Sequence, residues 1–310
     1  MVRNTTTKNP ILFYEVEVVE RLRFADLFVD RLVESEGPSF YPAYLFPDAE
    51  DKAIAKEKGW LAPCFIDLES GRLIMSVHTY IIQTSRHVVL VDTCVGNDKN
   101  RASTPQWHQQ KTPWLNQLKS MGIARRQVDF VLCTHLHVDH VGWNTQLVDG
   151  RWVPTFPNAK YLFSPIELKA MQEQTDNPFD EYIRLVFEDS VLPVIESGQS
   201  VMMDNDFDLG KGINILPSPG HSPGHYCIEL QSKNSQGIIT GDIFHNPIQV
   251  NYPHWTTMFC DNKEQANETR IKLVDDLIDS ETIVLAAHFA GTTAGKIISE
   301  SNNKKFILLD

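Results

Sequence analysis

The chain has 310 residues, 42% of them apolar and 22% charged, a balance that suits a globular protein with a sizeable buried core. Its 28 basic and 40 acidic side chains leave a net charge of -12. That acidity disfavours nucleic acid and anionic membranes as partners, since both call for a basic surface. No apolar run in the sequence approaches the length of a membrane span.

Met1 to Pro10 is polar, and the apolar run Ile11 to Tyr14 is too short for a signal-peptide core, so a cytoplasmic protein is expected. The five cysteines are odd in number and none has CxxC spacing. This argues against a disulfide framework or a zinc ribbon and predicts small core residues instead. No repeat or linker divides the chain. One domain over residues 1–310 is expected, with 1–70 as an N-terminal arm or lid.

Tyr14 to Val18 alternates apolar and acidic residues, which predicts a strand with one buried face. Residues 20–35 fit strand or helix equally. Gly37 to Pro63 is rich in proline and aromatics and reads as an apolar loop: a core-covering arm, a substrate lid or a dimer arm. Strands are predicted at 78–83, 87–92, 128–133, 160–163, 214–216, 227–230, 238–240 and 282–287. Helical spacing marks Trp114 to Met121, 165–175, 179–190 and 264–279. Strands and helices mixed over one stretch predict an α/β fold of layered sheets.

The segment Thr134-His135-Leu136-His137-Val138-Asp139-His140 follows an apolar strand directly. Four potential ligands fall within six residues, and imidazole with carboxylate suits zinc and similar divalent ions. Alternate residues can converge on one ion while the next pair faces a second. Three later segments add candidates: His221 and His225 in a Pro/Gly-rich turn, Asp242 after Thr240-Gly241, and His288 after Ala286-Ala287. A lone histidine after a strand is commonly an ordinary surface residue. In this order, after the first segment, the three gain weight together.

With these residues the sequence resembles the metallo-β-lactamase superfamily. Its HxHxDH motif matches His135, His137, Asp139 and His140, and its later ligand positions match His221, Asp242 and His288. The resemblance runs from about residue 75 to 290. It implies an αβ/βα four-layer sandwich, with two mixed β-sheets flanked by helices and the site at the sheet edges. It also implies two divalent metal ions per chain, zinc by default, with Mn, Fe or Co accepting the same ligands. By the resemblance, His135, His137 and His221 hold the first ion, Asp139, His140 and His288 the second, and Asp242 bridges them. Asp92, at an earlier strand end, then fixes the His loop without being a ligand. Cys94 stands where the family often has glycine.

Two histidines stay open. His225 reads as a turn residue making a structural hydrogen bond. His245 occupies the offset at which lactonases of the superfamily carry a substrate-contacting tyrosine. It is read either as a catalytic donor to oxyanion charge or as a rim residue. His78, His87, His108 and His254 have no pattern.

Two adjacent dications lower the pKa of a shared water, which then supplies the nucleophile, with Asp139 placed to move its proton to the leaving group. The arm and the continuation Val141-Gly142-Trp143-Asn144 most resemble the lactonase and organophosphate-hydrolase branch. A lactone or ester hydrolase is expected, with an N-acyl-homoserine lactone as one substrate. Phosphotriesterase, thioesterase or β-lactamase activity is the alternative, and a non-catalytic metal-binding protein is disfavoured by the complete ligand set. Phe46, Trp60 and Trp143 are read as core or as pocket lining. The resemblance also suggests a homodimer paired through the N-terminal arm.

Overall fold

The computed structural model describes residues 21–309 apart from 25, 176–179, 204–208, 211, 233–234 and 301–302. The strand expected at Tyr14 to Val18 lies outside the described residues. The strands are β1 (Leu22–Phe24), β2 (Leu27–Pro38), β3 (Ile74–Gln83), β4 (Val88–Val91), β5 (Phe130–Leu132), β6 (Thr145–Val148), β7 (Arg151–Pro154), β8 (Lys160–Phe163) and β9 (Ser200–Met202), then β10 (Ile213–Pro217), β11 (Tyr226–Ser232), β12 (Ser235–Ile239), β13 (Ile283–Leu285), β14 (Ala294–Glu300) and β15 (Asn303–Leu308). The helices are α1 (Pro42–Leu45), α2 (Asp51–Leu61), α3 (Trp114–Ser120), α4 (Pro165–Thr175), α5 (Glu181–Val186), α6 (Leu192–Glu196), α7 (Ile248–Asn251) and α8 (Lys263–Leu277).

The first sheet has the order β1-β2-β3-β4-β5-β8-β9 and the second the order β10-β11-β12-β13-β14-β15. Both are mixed. The first is antiparallel through β4 and parallel from β4 onward. The second holds one parallel pair, β12 with β13. A small hairpin, β6 with β7, stands apart.

Strand periodicity explains the layering, because successive side chains point to opposite faces. Val89 and Val91 of β4 join Tyr226, Ile228 and Leu230 of β11 in the cluster between the sheets. Leu90 points the other way, to a cluster with Trp114 and Leu118 of α3 and Met171 of α4. On the far side, Cys227, Ile238 and Val284 pack against Ile54 and Leu61 of α2 and Leu273, Val274 and Leu277 of α8. Helix, sheet, sheet and helix therefore form four layers, as expected.

Three local expectations change. Within 20–35, Leu22–Phe24 and the residues from Leu27 onward are strand, with Leu27 and Val29 turned to the cluster between the sheets and Leu32 to the opposite face. The segment 37–63 is not a continuous loop but carries α1 and α2, and α2 buries Ile54, Glu57 and Leu61 at helical spacing. The second sheet extends past His288 into the C-terminal hairpin β14 and β15. Among the described residues, no helix is long and apolar enough to cross a membrane.

Candidate active site

The candidate residues gather at the carboxyl ends of strands from both sheets, where open α/β sheets place their ligands. Asp92 follows β4 and the His135–His140 loop follows β5. His221 lies between β10 and β11, Asp242 follows β12, and His288 follows β13. In each sheet two of these strands form a parallel pair, so their carboxyl ends lie side by side.

Nitrogen atoms of His135, His137 and His221 lie within 4.8 Å of one another. So do ligand atoms of Asp139, His140 and His288. Asp242 stands between the groups. Its Oδ2 is 3.3 Å from His221 Nε2 and 3.8 Å from His135 Nε2. Its Oδ1 is 3.2 Å from His140 Nε2 and 3.1 Å from His288 Nε2. Asp139, on the cavity side, is 3.7 Å from both His140 Nε2 and His288 Nε2.

Hydrogen bonds behind the rings decide which nitrogen faces inward. His140 Nδ1 donates to Asp92 Oδ2 at 2.8 Å, and His288 Nδ1 donates to the Ser76 carbonyl at 2.9 Å. Thr134 Oγ1 donates to Asp92, which leaves it to accept from His135 Nδ1 at 3.1 Å. His221 Nδ1 lies 3.4 Å from Cys260 Sγ. The rings of His135, His140 and His288 then turn Nε2 inward.

A divalent cation fits this arrangement. His135 Nε2, His140 Nε2 and Asp242 Oδ1 are buried and make no hydrogen bond, a cost that buried polar atoms seldom bear without a partner. His137 Nδ1 and His221 Nε2 approach to 2.9 Å, so a proton or cation must separate them. Electrostatics agree. Burial opposes charge on Asp242, yet His288, His140, His245 and His221 together hold its carboxyl well below the usual range. Burial likewise opposes charge on His140, yet Asp242, Asp92 and Asp139 push its imidazole well above the usual range.

His225 makes more than the expected turn bond. Its Nε2 accepts the Asp242 backbone N–H at 3.0 Å and its Nδ1 donates to Ser218 Oγ at 2.8 Å. Burial lowers this imidazole to about 3, so it stays neutral and keeps the acceptor that Asp242 needs. Gly241 is required beside it: its φ is +49°, and a Cβ there would lie 2.5 Å from His225 Nε2. His245 is buried, not on the rim, with Nε2 3.2 Å from Asp242 Oδ2 and its ring stacked on His288 at 5.3 Å.

The cluster forms the floor of a cavity of about 1000 Å³. Its apolar lining includes Leu136, Val138, Met171, Tyr182, Ile183 and Val186, together with Phe40, Tyr44, Met75 and Phe259. Phe46 and Trp143 are core, Phe46 packing on Trp255 and Trp143 stacking on Trp114, while Trp60 is partly buried against the core. His108, which had no pattern, lines the cavity.

Sequence reasoning missed several supports. Glu167 of α4 accepts from Leu136 N at 3.3 Å and from Gly224 N at 2.6 Å, tying the two histidine-bearing loops together. Arg270 of α8 is buried and donates to the carbonyls of Ile243, Pro253 and Trp255, bracing the segment that carries His245. Cys260 passed as a core residue. None has a local signal, since each acts on residues distant in sequence.

Comparison with known proteins places this geometry. Residues 74–288 match the family model described as the metallo-beta-lactamase superfamily. An N-acyl homoserine lactonase of Bacillus thuringiensis is 24% identical over 185 residues, 56% of this chain and 65% of the relative. The match thus spans less than two thirds of that relative's length. Among solved structures, the hydrolase AbOPH of the beta lactamase superfamily aligns with TM-score 0.79 and 22% identity, covering 96% of this chain and 99% of that one. AidC, a dizinc quorum-quenching lactonase in complex with a product, aligns with TM-score 0.75 and 17% identity, covering 94% and 97%.

Proposed function

This chain belongs to the metallo-beta-lactamase superfamily, and from that premise we propose that it is a metal-dependent hydrolase that opens a lactone or ester at the carbonyl carbon. N-acyl homoserine lactones are the leading substrates, as for the Bacillus relative. The observation that carries the reading is Asp242, whose carboxylate reaches His221 Nε2 at 3.3 Å on one side and His140 and His288 Nε2 at 3.2 and 3.1 Å on the other, in a cavity with an apolar lining.

His135, His137 and His221 would hold one divalent ion, Asp139, His140 and His288 a second, and Asp242 both. Zinc is the default occupant, and such ions supply Lewis acidity and a water of near-neutral pKa. The chain's own groups do the rest. Asp139 lines the cavity, where its carboxylate can take the proton of the attacking water and deliver it to the leaving alkoxide. His245 lines the cavity with Nε2 3.2 Å from Asp242 Oδ2, and it would donate to charge developing on the carbonyl oxygen. The apolar walls exclude bulk water and seat an acyl chain.

Charge narrows the substrate. Glu34, Glu36, Asp139, Glu167, Asp242 and Asp261 line the cavity, and Lys111 alone among the described lining residues is a lysine or arginine. Lys111 is itself paired with Asp98. Among the described lining residues Lys111 is the one side-chain cation set to meet a substrate carboxylate, which favours neutral lactones over β-lactam acids.

A panel of short- and long-chain acyl-homoserine lactones, aryl esters, phosphotriesters, thioesters and β-lactams tests the reading. Lactones or esters should give the highest kcat/KM. Turnover confined to β-lactams or thioesters would sink the proposal.

A further inference from the structure

β2 carries a bulge that has a chemical consequence. Val33 pairs with His78 and Ser35 with Val77, so Glu34 has no partner across the ladder. Bulges of this kind re-aim a side chain, and they concentrate near active sites. Glu34 points inward and is 5% exposed. Four donors meet its carboxylate. Val95 N donates to Oε2 at 2.8 Å. Oε1 accepts from Gly96 N at 3.2 Å, Trp143 Nε1 at 2.7 Å and Thr112 Oγ1 at 3.3 Å.

Three of these donors, all but Thr112, belong to two segments that flank the candidate metal centre. Val95 and Gly96 follow Asp92, and Trp143 follows His140. The segments are zipped together: Thr93 N donates to the His140 carbonyl at 2.7 Å, Trp143 N to the Thr93 carbonyl at 2.8 Å, and Gly142 N to the Cys94 carbonyl at 2.7 Å. The packing leaves no slack, since a Cβ on Gly142 would lie 1.8 Å from the Val95 carbonyl oxygen. Glu34 closes this zip from outside, and Asp92 with His140 closes it from the metal side.

We propose that Glu34 is a positioning residue for the Asp139–His140–His288 set, holding the Asp92 loop and the exit of the His loop in register from the N-terminal strand. The proposal rests on the dinuclear reading above. It makes the N-terminal segment a working part of the site rather than only a cover, and it places that part upstream of residues 74–288, which match the superfamily model. A carboxylate is required because four donors converge. A glutamine amide would keep one oxygen and set an N–H against donors.

The test is Glu34→Gln, with Glu57→Gln as control. Glu57 is also a buried carboxylate that accepts from a tryptophan Nε1, that of Trp60 at 2.6 Å, but it does not line the cavity. Zinc binding is titrated against a chromophoric chelator, with folded fraction matched by circular dichroism. Wild type and Glu57→Gln should hold two equivalents alike. Glu34→Gln should keep the tighter equivalent and bind the second at least ~10-fold more weakly, the scale expected when a partner behind a ligand is lost. Equal binding by wild type and Glu34→Gln overturns the proposal. So does equal weakening in both variants, which would mark a general packing effect. Wild-type protein that holds fewer than two equivalents overturns the dinuclear reading and this proposal with it.

Discussion

Asp92 and His140 are joined at 2.8 Å, Oδ2 to Nδ1, while the other oxygen of Asp92 accepts the Thr134 backbone N–H at 2.7 Å. One carboxylate thus fixes both the start and the end of the His135–His140 loop. It does so from a backbone turned to φ +58°, which is uncommon for a residue other than glycine. The β4 exit is shaped to deliver this contact.

Asp92→Asn should therefore weaken metal retention rather than remove it. The amide can accept at one oxygen but cannot serve Thr134 and His140 both as a carboxylate does. Affinity for the equivalent held by His140 should fall about 10- to 100-fold, read by chelator competition. Unchanged affinity would show that the Asp92–His140 bond is incidental.

Asp139→Asn separates proton transfer from metal holding. The amide retains an oxygen toward His140 and His288 but has no basic site for a proton. With both equivalents still bound by elemental analysis, kcat should fall at least about 100-fold, the scale of lost general acid–base catalysis. Undiminished hydrolysis would remove Asp139 from the proton path.

Metal removal should destabilise the fold. His135 Nε2, His140 Nε2 and Asp242 Oδ1 are buried without hydrogen bonds, so the apo protein keeps a poorly satisfied polar cluster at the site. Zinc at 100-fold over its Kd adds about 2.7 kcal/mol if only the folded state binds it. The melting temperature should drop on chelation and return on zinc addition. A melt indifferent to chelator, with metal loss confirmed, would count against a metal at this site.

Lys99 provides a pH signature remote from the metal ligands. Its ammonium is buried against the Trp152 ring, 3.7 Å from the centroid, and donates to Thr145 Oγ1 at 2.6 Å and to the Asp189 carbonyl at 2.9 Å. Burial lowers it to about 7, although Asp189 pulls the other way. Between that value and the ordinary lysine range, the folded chain has released a proton the unfolded chain still holds. Stability contributed by this site therefore rises with pH across that window. In urea denaturation from roughly pH 6 to 9, wild type should gain on Lys99→Met as pH increases. A constant difference between the two would refute the shift.

The legible part of the site was the part written locally. His135, His137, Asp139 and His140 sit within one loop, and their chemistry is apparent from spacing. His221, Asp242 and His288 each follow a strand and gain meaning from order along the chain. Most strands of the two sheets were readable because short β-branched apolar runs report buried strands, but β2 fitted strand or helix equally and β9 carried no signal. The C-terminal hairpin was not, since Ser299 to Lys305 is polar and carries no periodic signal.

What the sequence determined by itself was the set of candidate ligands and the layered α/β fold, because ligand chemistry and strand period are properties of neighbouring residues. Only the tertiary structure decided how the ligands are held. Glu34 reaches Trp143, Glu167 reaches Gly224, and Arg270 reaches the carbonyls around His245, each across a separation no local pattern encodes. Hydrogen bonds between distant segments form only when packing brings them together, so the residues that position the metal centre become visible only in the folded chain.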